Sequence, residues 1–148
     1  MVLGLGNPLM ADEGIGVHLI ERLAPCAEQW PDVDFIDAGT GGMSVLYLIE
    51  GRQQALFIDC AFMGQEPGTI RRFTPDEVRS TKVLAHQSLH DADLLRILSL
   101  AEELGQCPER VVIFGIEPQV VEPRQGLSAV LLEQTEHYLA EILSELTA

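Results

Sequence analysis

Basic side chains are scarce in this chain: lysine and arginine number 9 against 23 aspartates and glutamates, a formal net charge of −14. Nine cations are too few for a phosphate-tracking stripe, which argues against nucleic acid and anionic lipid surfaces as partners. Cationic or metal-bearing partners are favoured, although acidity also simply keeps a small protein dispersed. Cysteine is nearly absent. Cys26, Cys60 and Cys107 are odd in number and without CxxC spacing, which excludes a disulfide framework and a thiolate zinc site and leaves buried thiols as the expectation. No apolar run approaches the roughly 18 residues of a membrane span. The opening "MVLGLG" lacks a basic segment and an apolar core of the secretory kind, so a cytoplasmic location without membrane contact is expected. Internal repeats, GxSxG, HExxH and a P-loop lysine are all missing, which removes the commonest hydrolase and NTPase templates.

What remains is an ordinary globular composition, 47% hydrophobic and 22% charged over 148 residues, long enough to bury about 70% of the unfolded chain's surface in one domain, 1–148. Short apolar runs alternate with amphipathic stretches, the pattern of an α/β fold with a mostly parallel sheet. "VLGLG" predicts a first strand, and Ile15, Leu19, Ile20 and Leu23 predict a helix from about 13 to 27. Residues 33–39 and 54–60 read as further strands, with a short helix over "MSVLYLIE" between them. "TIRRF" reads as a polar antiparallel edge strand after a turn at Pro67-Gly68. A loop at 81–89 leads through Ser88 and Asp91, a capping box, into a helix with Leu94, Leu98 and Ala101 inward. Residues 110–118 form a buried strand, 117–126 a loop, and one last helix from about Ser128 aligns Leu131, Tyr138, Ile142 and Leu146.

The stretch "GLGNPLMADEGIGV" is a glycine-rich turn entering a helix, a place that ordinarily welcomes an anion. Asp12 and Glu13 reverse the charge there, and a cation becomes the natural guest. The dinucleotide fingerprint fails too, since Leu9 stands where its third glycine belongs. In open α/β sheets ligands sit beyond the carboxyl ends of the strands where the winding reverses. If strands one and three are neighbours, Asp12 and Glu13 leaving the first, Asp59 ending the third and His86 in the later loop are candidates for one crevice. Carboxylates with an imidazole suit zinc, nickel, manganese or iron. Each residue also has a plainer explanation: a helix dipole for Glu13, turn hydrogen bonds for Asp59, packing for His86. His18, His90 and His137 read as helix-surface residues, and Cys60 as core on the pleat opposite Asp59.

In order, "GLGNPLMADEGIGV", "DAGTGG", "FIDCAFMGQEPGTI", "AHQSLHDADLL" and "VIFGIEPQVVEPRQGLS" resemble the motifs of the nickel–iron hydrogenase maturation endopeptidases across nearly the whole chain. The resemblance implies a three-layer αβα sandwich around a twisted five-stranded sheet, of the phosphorylase/hydrolase-like kind. It implies a metal-dependent endopeptidase, aspartic-type or metallo, that removes the C-terminal extension of a hydrogenase large-subunit precursor after nickel insertion, working as a monomer. Its metal triad corresponds by motif position to Glu13, Asp59 and His86, with Asp12 a flanking acid and Gly39, Gly41 and Gly42 shaping a nearby loop. Nickel would be carried in by the substrate and serve as the recognition anchor, another divalent ion taking the place in isolation. The first strand and the tail are slightly shorter than is usual there; neither departure touches the triad. Two rival readings exist. "GLGNP" also resembles the start of peptidyl-tRNA hydrolase, but "LMADEGIG" and the acidic balance do not suit RNA. A non-catalytic metal- or nucleotide-binding domain is the other.

Overall fold

A computed structural model of the chain describes residues 1–80 and 89–148, with the side chains of 89–92 outside that description. The strands are β1 (Val2–Leu5), β2 (Phe35–Gly39), β3 (Gln54–Cys60), β4 (Ile70–Phe73) and β5 (Arg110–Ile116). The helices are α1 (Ile15–Leu23), α2 (Ser44–Ile49), α3 (Pro75–Ser80), α4 (Leu89–Glu103), α5 (Ala129–Glu133) and α6 (Thr135–Thr147). The sheet order is β2-β1-β3-β5-β4. All neighbours are parallel except β4, which runs antiparallel to β5 at the edge. Strands one and three are therefore adjacent, and the winding reverses between them.

Alternation along β3 explains the three layers. Ala55 and Phe57 turn to one face and join residues of α2, α3 and α4, among them Val45, Ile49, Val78, Leu94 and Leu98. Leu56, Ile58 and Cys60 turn to the other and pack with Ile15, Leu19, Leu131, Tyr138 and Ile142 of α1, α5 and α6. A parallel strand covered on both sides has no polar pleat to spare, hence the unbroken "ALFI". Each of these buried large side chains contributes about 1.5–3 kcal/mol. The edge strand β4 instead exposes Arg71 and Arg72, charges that discourage pairing with another chain.

Several elements differ from expectation for identifiable reasons. The first helix is α-helical only over Ile15–Leu23, with 3-10 turns at Ala11–Gly14 and Ala24–Gln29 on either side. Pro25, which cannot donate an amide, ends the regular helix. Helix α3 was not foreseen, yet it carries a full capping box: the Glu77 amide donates to Thr74 Oγ1 at 3.3 Å and the Thr74 amide to Glu77 Oε2 at 2.6 Å. The last helix is two, meeting at Gln134, whose amide is shared between the carbonyls of Leu131 and Leu132. Ser88, expected to cap α4, lies outside the described residues, whereas Leu94, Leu98 and Ala101 are buried as expected. Of the three thiols only Cys60 is buried; Cys26 and Cys107 are half-exposed.

At the amino edge of the sheet Glu145 of α6 gathers two arginines. Arg72 Nε and Nη2 donate to it at 2.7 and 2.9 Å, and Arg110 Nη2 donates to Oε1. The Arg72 hydrogen bonds hold its carboxyl below the ordinary range. A depressed carboxylate stabilises the fold above its unfolded pKa and ceases to do so as pH falls through the folded one. Glu145→Ala should therefore lower stability at neutral pH by about 1–3 kcal/mol, because two partly exposed arginines lose a charged acceptor. The gap in melting temperature between wild type and variant should close as the pH drops below 4.5. A gap that persists unchanged into acid would remove the linkage.

Candidate functional site

The site is assembled from the exits of β1 and β3. After β1 the chain turns at Gly6, whose φ of +131° favours glycine. A Cβ on Gly6 would stand 1.9 Å from the Glu13 carbonyl oxygen. One turn on, a Cβ on Gly16 would stand 2.2 Å from Leu5 O and 2.4 Å from Ile58 O. Helix α1 thus begins directly on the ends of both strands, and the 3-10 turn carrying Glu13 packs against β3. Glu13 is half-buried at that rim.

Asp59, the penultimate residue of β3, is 1% exposed. Its Oδ1 accepts the Cys60 amide at 2.8 Å, which sets the plane of the carboxylate. It lies on the pleat facing α3 and α4, beside a cavity of about 20 Å³ lined by Ala61, Phe73, Val78, Leu94, Leu95 and Gly115 among others. Cys60 is buried on the opposite pleat, as expected. Glu13 and Asp59 therefore reach one edge of the sheet from opposite layers. His86 lies outside the described residues. Among the described residues no three His, Cys, Asp or Glu side chains form a metal-binding group.

Asp12 requires a correction. Expected as a flanking acid able to reach the crevice, it is fully buried and turned toward the β5–α5 loop. Its Oδ2 accepts the amides of Gln119 and Val120 at 2.8 and 3.0 Å and the Ser128 hydroxyl at 2.8 Å, while Oδ1 accepts the Ser128 amide at 2.7 Å. Four donors nearly saturate one carboxylate, and this repays its burial. Glu117, just past β5, was missed. It is 7% exposed, and its Oε2 accepts the Met63 amide at 2.5 Å while its carbonyl accepts the Gly68 amide at 2.8 Å. The Gly68 carbonyl in turn accepts the hydroxyl of Tyr138 at 2.6 Å. Burial, and then the charge of Asp12, push the Tyr138 phenol up to about 12. The one hint of Glu117 in the sequence is an acid directly after the uncharged run Val111 to Ile116.

The loop after β2 sits where the glycines place it. Gly39, Gly41 and Gly42 all have positive φ, the Asp37 carboxylate accepts the Gly39 amide at 2.8 Å, and the Gly6 amide donates to Gly39 O at 2.7 Å. This binds the loop to the turn that carries Glu13. Of the helix histidines, His137 is exposed as expected. His18 is instead half-buried, and burial lowers its pKa. It borders a groove with Pro8, Val17, Glu21, Leu127 and Leu132.

The backbone donors of the glycine-rich turn are already engaged. The Leu9 amide donates to Asn7 Oδ1. Those of Met10, Ala11, Asp12 and Glu13 donate to the carbonyls of Asn7, Arg124, Val120 and Met10. A phosphate cradle needs such amides aimed at the ligand. The acid of this turn that is not fully buried is Glu13.

A family model described as hydrogenase maturation protease matches residues 17–145. The hydrogenase expression/formation protein HupD of Rhodobacter capsulatus is 32% identical over 149 residues, covering 100% of this chain and 71% of its own length. The hydrogenase 2 maturation protease of Escherichia coli is 32% identical over 154 residues, with 99% of this chain and 89% of that protein covered. The structure of the hydrogenase maturating endopeptidase HybD from E. coli superposes with a TM-score of 0.82 at 27% identity, covering 99% of this chain and 90% of that one. Other curated relatives are longer: the chain spans 62% of HoxM from Cupriavidus necator and 53% of HupD from Thiocapsa roseopersicina. No helix among the described residues is long and apolar enough to cross a membrane. On these matches, the chain belongs to the hydrogenase maturation protease family.

Proposed function

We propose that the protein is an endopeptidase that removes the C-terminal extension of a nickel–iron hydrogenase large-subunit precursor once nickel has been inserted, acting as a monomer with Glu13, Asp59 and His86 as donors to the nickel the precursor brings. The observation that supports this most is the delivery of Glu13 and Asp59 to one rim by adjacent strands, at the point where the sheet's winding reverses. Helix α4, which starts three residues after His86, lines the cavity beside Asp59 with Leu94 and Leu95. Two carboxylates and an imidazole are a donor set suited to nickel.

Each side chain has a distinct task in this reading. Glu13 offers a half-buried carboxylate on a turn that cannot slide, since Gly6 lies against its carbonyl. Asp59 is oriented in advance by the Cys60 amide, so little reorganisation accompanies binding. A precursor without nickel lacks the group these donors grip, and metal loading thereby becomes the signal for cleavage. When bound, nickel supplies Lewis acidity to a carbonyl or a water beside the scissile bond.

Two outcomes test the proposal. Mass analysis should show the nickel-loaded precursor shortened at its C-terminus and the metal-free precursor untouched; equal cutting of both would refute nickel gating. Alanine at Glu13, Asp59 or His86 should each slow processing by about 100-fold or more, as loss of reactant positioning does, with a cooperative melting transition retained. Wild-type rates in all three variants would dismiss the donor assignment.

A further inference from the structure

We infer that Asp12 is a positioning residue for Glu13: its buried carboxylate fastens the 119–128 segment over the turn and thereby fixes where the neighbouring Glu13 stands. The inference rests on the reading of Glu13 as a donor.

The turn is held from two sides. From beneath, Gly6 and Gly16 admit the backbone of the turn and of α1 onto the strand ends with no room for a methyl group. From above, 119–128 is laced to it by main-chain bonds: Ala11 N–H to Arg124 O at 2.7 Å, Arg124 N–H to Leu9 O at 3.0 Å, and Asp12 N–H to Val120 O at 3.1 Å. The side chain of Asp12 closes the lacing at both ends of the segment, at Gln119 and Val120 and again at Ser128. Between the two lies Ala11, a non-glycine residue at φ +52° with its side chain buried. A left-handed alanine persists where the surroundings over-determine it, and the bonds just named do so.

The chemistry of the four donors explains why an aspartate is needed. Three amides and a hydroxyl converge, and an ionised carboxylate can accept from all of them through charge-assisted bonds. Asparagine has the same shape but one acceptor oxygen, and its NH2 would face amide donors. In Asp12→Asn the segment loosens, the turn gains freedom, and Glu13 loses its place without being altered itself. A residue acting through a donor in this way typically changes activity by about 10–100-fold.

The test measures kcat and KM for processing of the nickel-loaded precursor by wild type, Asp12→Asn, Ser128→Ala, Ser128→Thr, Glu13→Gln and Glu145→Ala. Glu145→Ala serves as a destabilised control at the opposite edge of the sheet. Asp12→Asn should lower kcat/KM by about 10–100-fold, Ser128→Ala should lower it less, and Ser128→Thr, which keeps the hydroxyl, should restore it. Glu145→Ala should lose melting temperature but keep kcat/KM. If Asp12→Asn and Ser128→Ala lose melting temperature and keep kcat/KM as Glu145→Ala does, Asp12 only holds the fold and the inference is overturned. Should Asp12→Asn fail to fold, Ser128→Ala against Ser128→Thr decides on the same criterion. If Glu13→Gln processes at the wild-type rate, the donor reading itself fails and this inference with it. An inactive Glu13→Gln beside a fully active Asp12→Asn rejects the positioning role alone.

Discussion

The rest of the structure depends on the contact of α1 with the ends of β1 and β3 at Gly16. The carbonyl oxygens of Leu5 and Ile58 lie where a side chain would be, so the helix spans two neighbouring strands without a spacer. Across the same gap a Cβ on Gly4 would stand 2.2 Å from Gly16 O. Any residue larger than glycine would lift the helix off the sheet and raise the preceding 3-10 turn with it. Glu13 would then leave the rim at which Asp59 arrives. The arrival of these two acids at the ends of neighbouring strands is thus a consequence of backbone packing, with glycine supplying the clearance.

A chain with 23 acidic residues has to decide where carboxylates can be hidden, and among the described residues four are buried by different means. Glu145 is buried against two arginines, a conventional ion pair with partly exposed partners. Asp12 and Glu117 are buried against backbone amides, which cost nothing in side-chain ordering because the loops supply them. Asp59 takes the amide of its own neighbour. The last three lie at the carboxyl edge of the sheet, where Asp12 ties the turn after β1, and Glu117 the segment after β3, to the chain that follows β5. That edge therefore has its loops tied down around a buried Asp59 and a half-buried Glu13, an arrangement in which gripping an ion would need little rearrangement.

What was legible in the sequence follows the range of the interactions concerned. Strand β3 was readable to the residue, because a doubly covered strand writes its burial into an unbroken apolar run, here Ala55 to Ile58, and the edge character of β4 was visible in its two arginines. Helix α3 was equally local, with Thr74, Pro75 and Glu77 forming an N-terminal signature that went unread. The break of the last helix at Gln134 has no comparable letter, since neither proline nor glycine stands there. Asp12 was misjudged for a different reason: its hydrogen-bond partners lie 107 to 116 positions away, and nothing near Asp12 distinguishes a clamp from an exposed acid. Placing Glu13 and Asp59 at one rim needed only the strand order. The third member of the expected set, His86, belongs to residues the structure does not describe.

The reversal of charge in the opening turn can now be stated in terms of donors. A glycine-rich turn at a helix start binds anions when its amides are left over, aimed outward and backed by the helix dipole. Here the amides from Leu9 to Glu13 are each taken by a protein acceptor, two of them by the crossing 119–128 segment. With the amides from Leu9 to Glu13 spent internally, the turn has little left to offer a phosphate. In the proposed reading the preference for a cation arises in two steps, the first removing the anion site and the second placing Glu13 in its stead. Because Asp12 holds the same segment that consumes those amides, one side chain serves both steps. An acid next to a site can thus determine what the site binds while facing away from it.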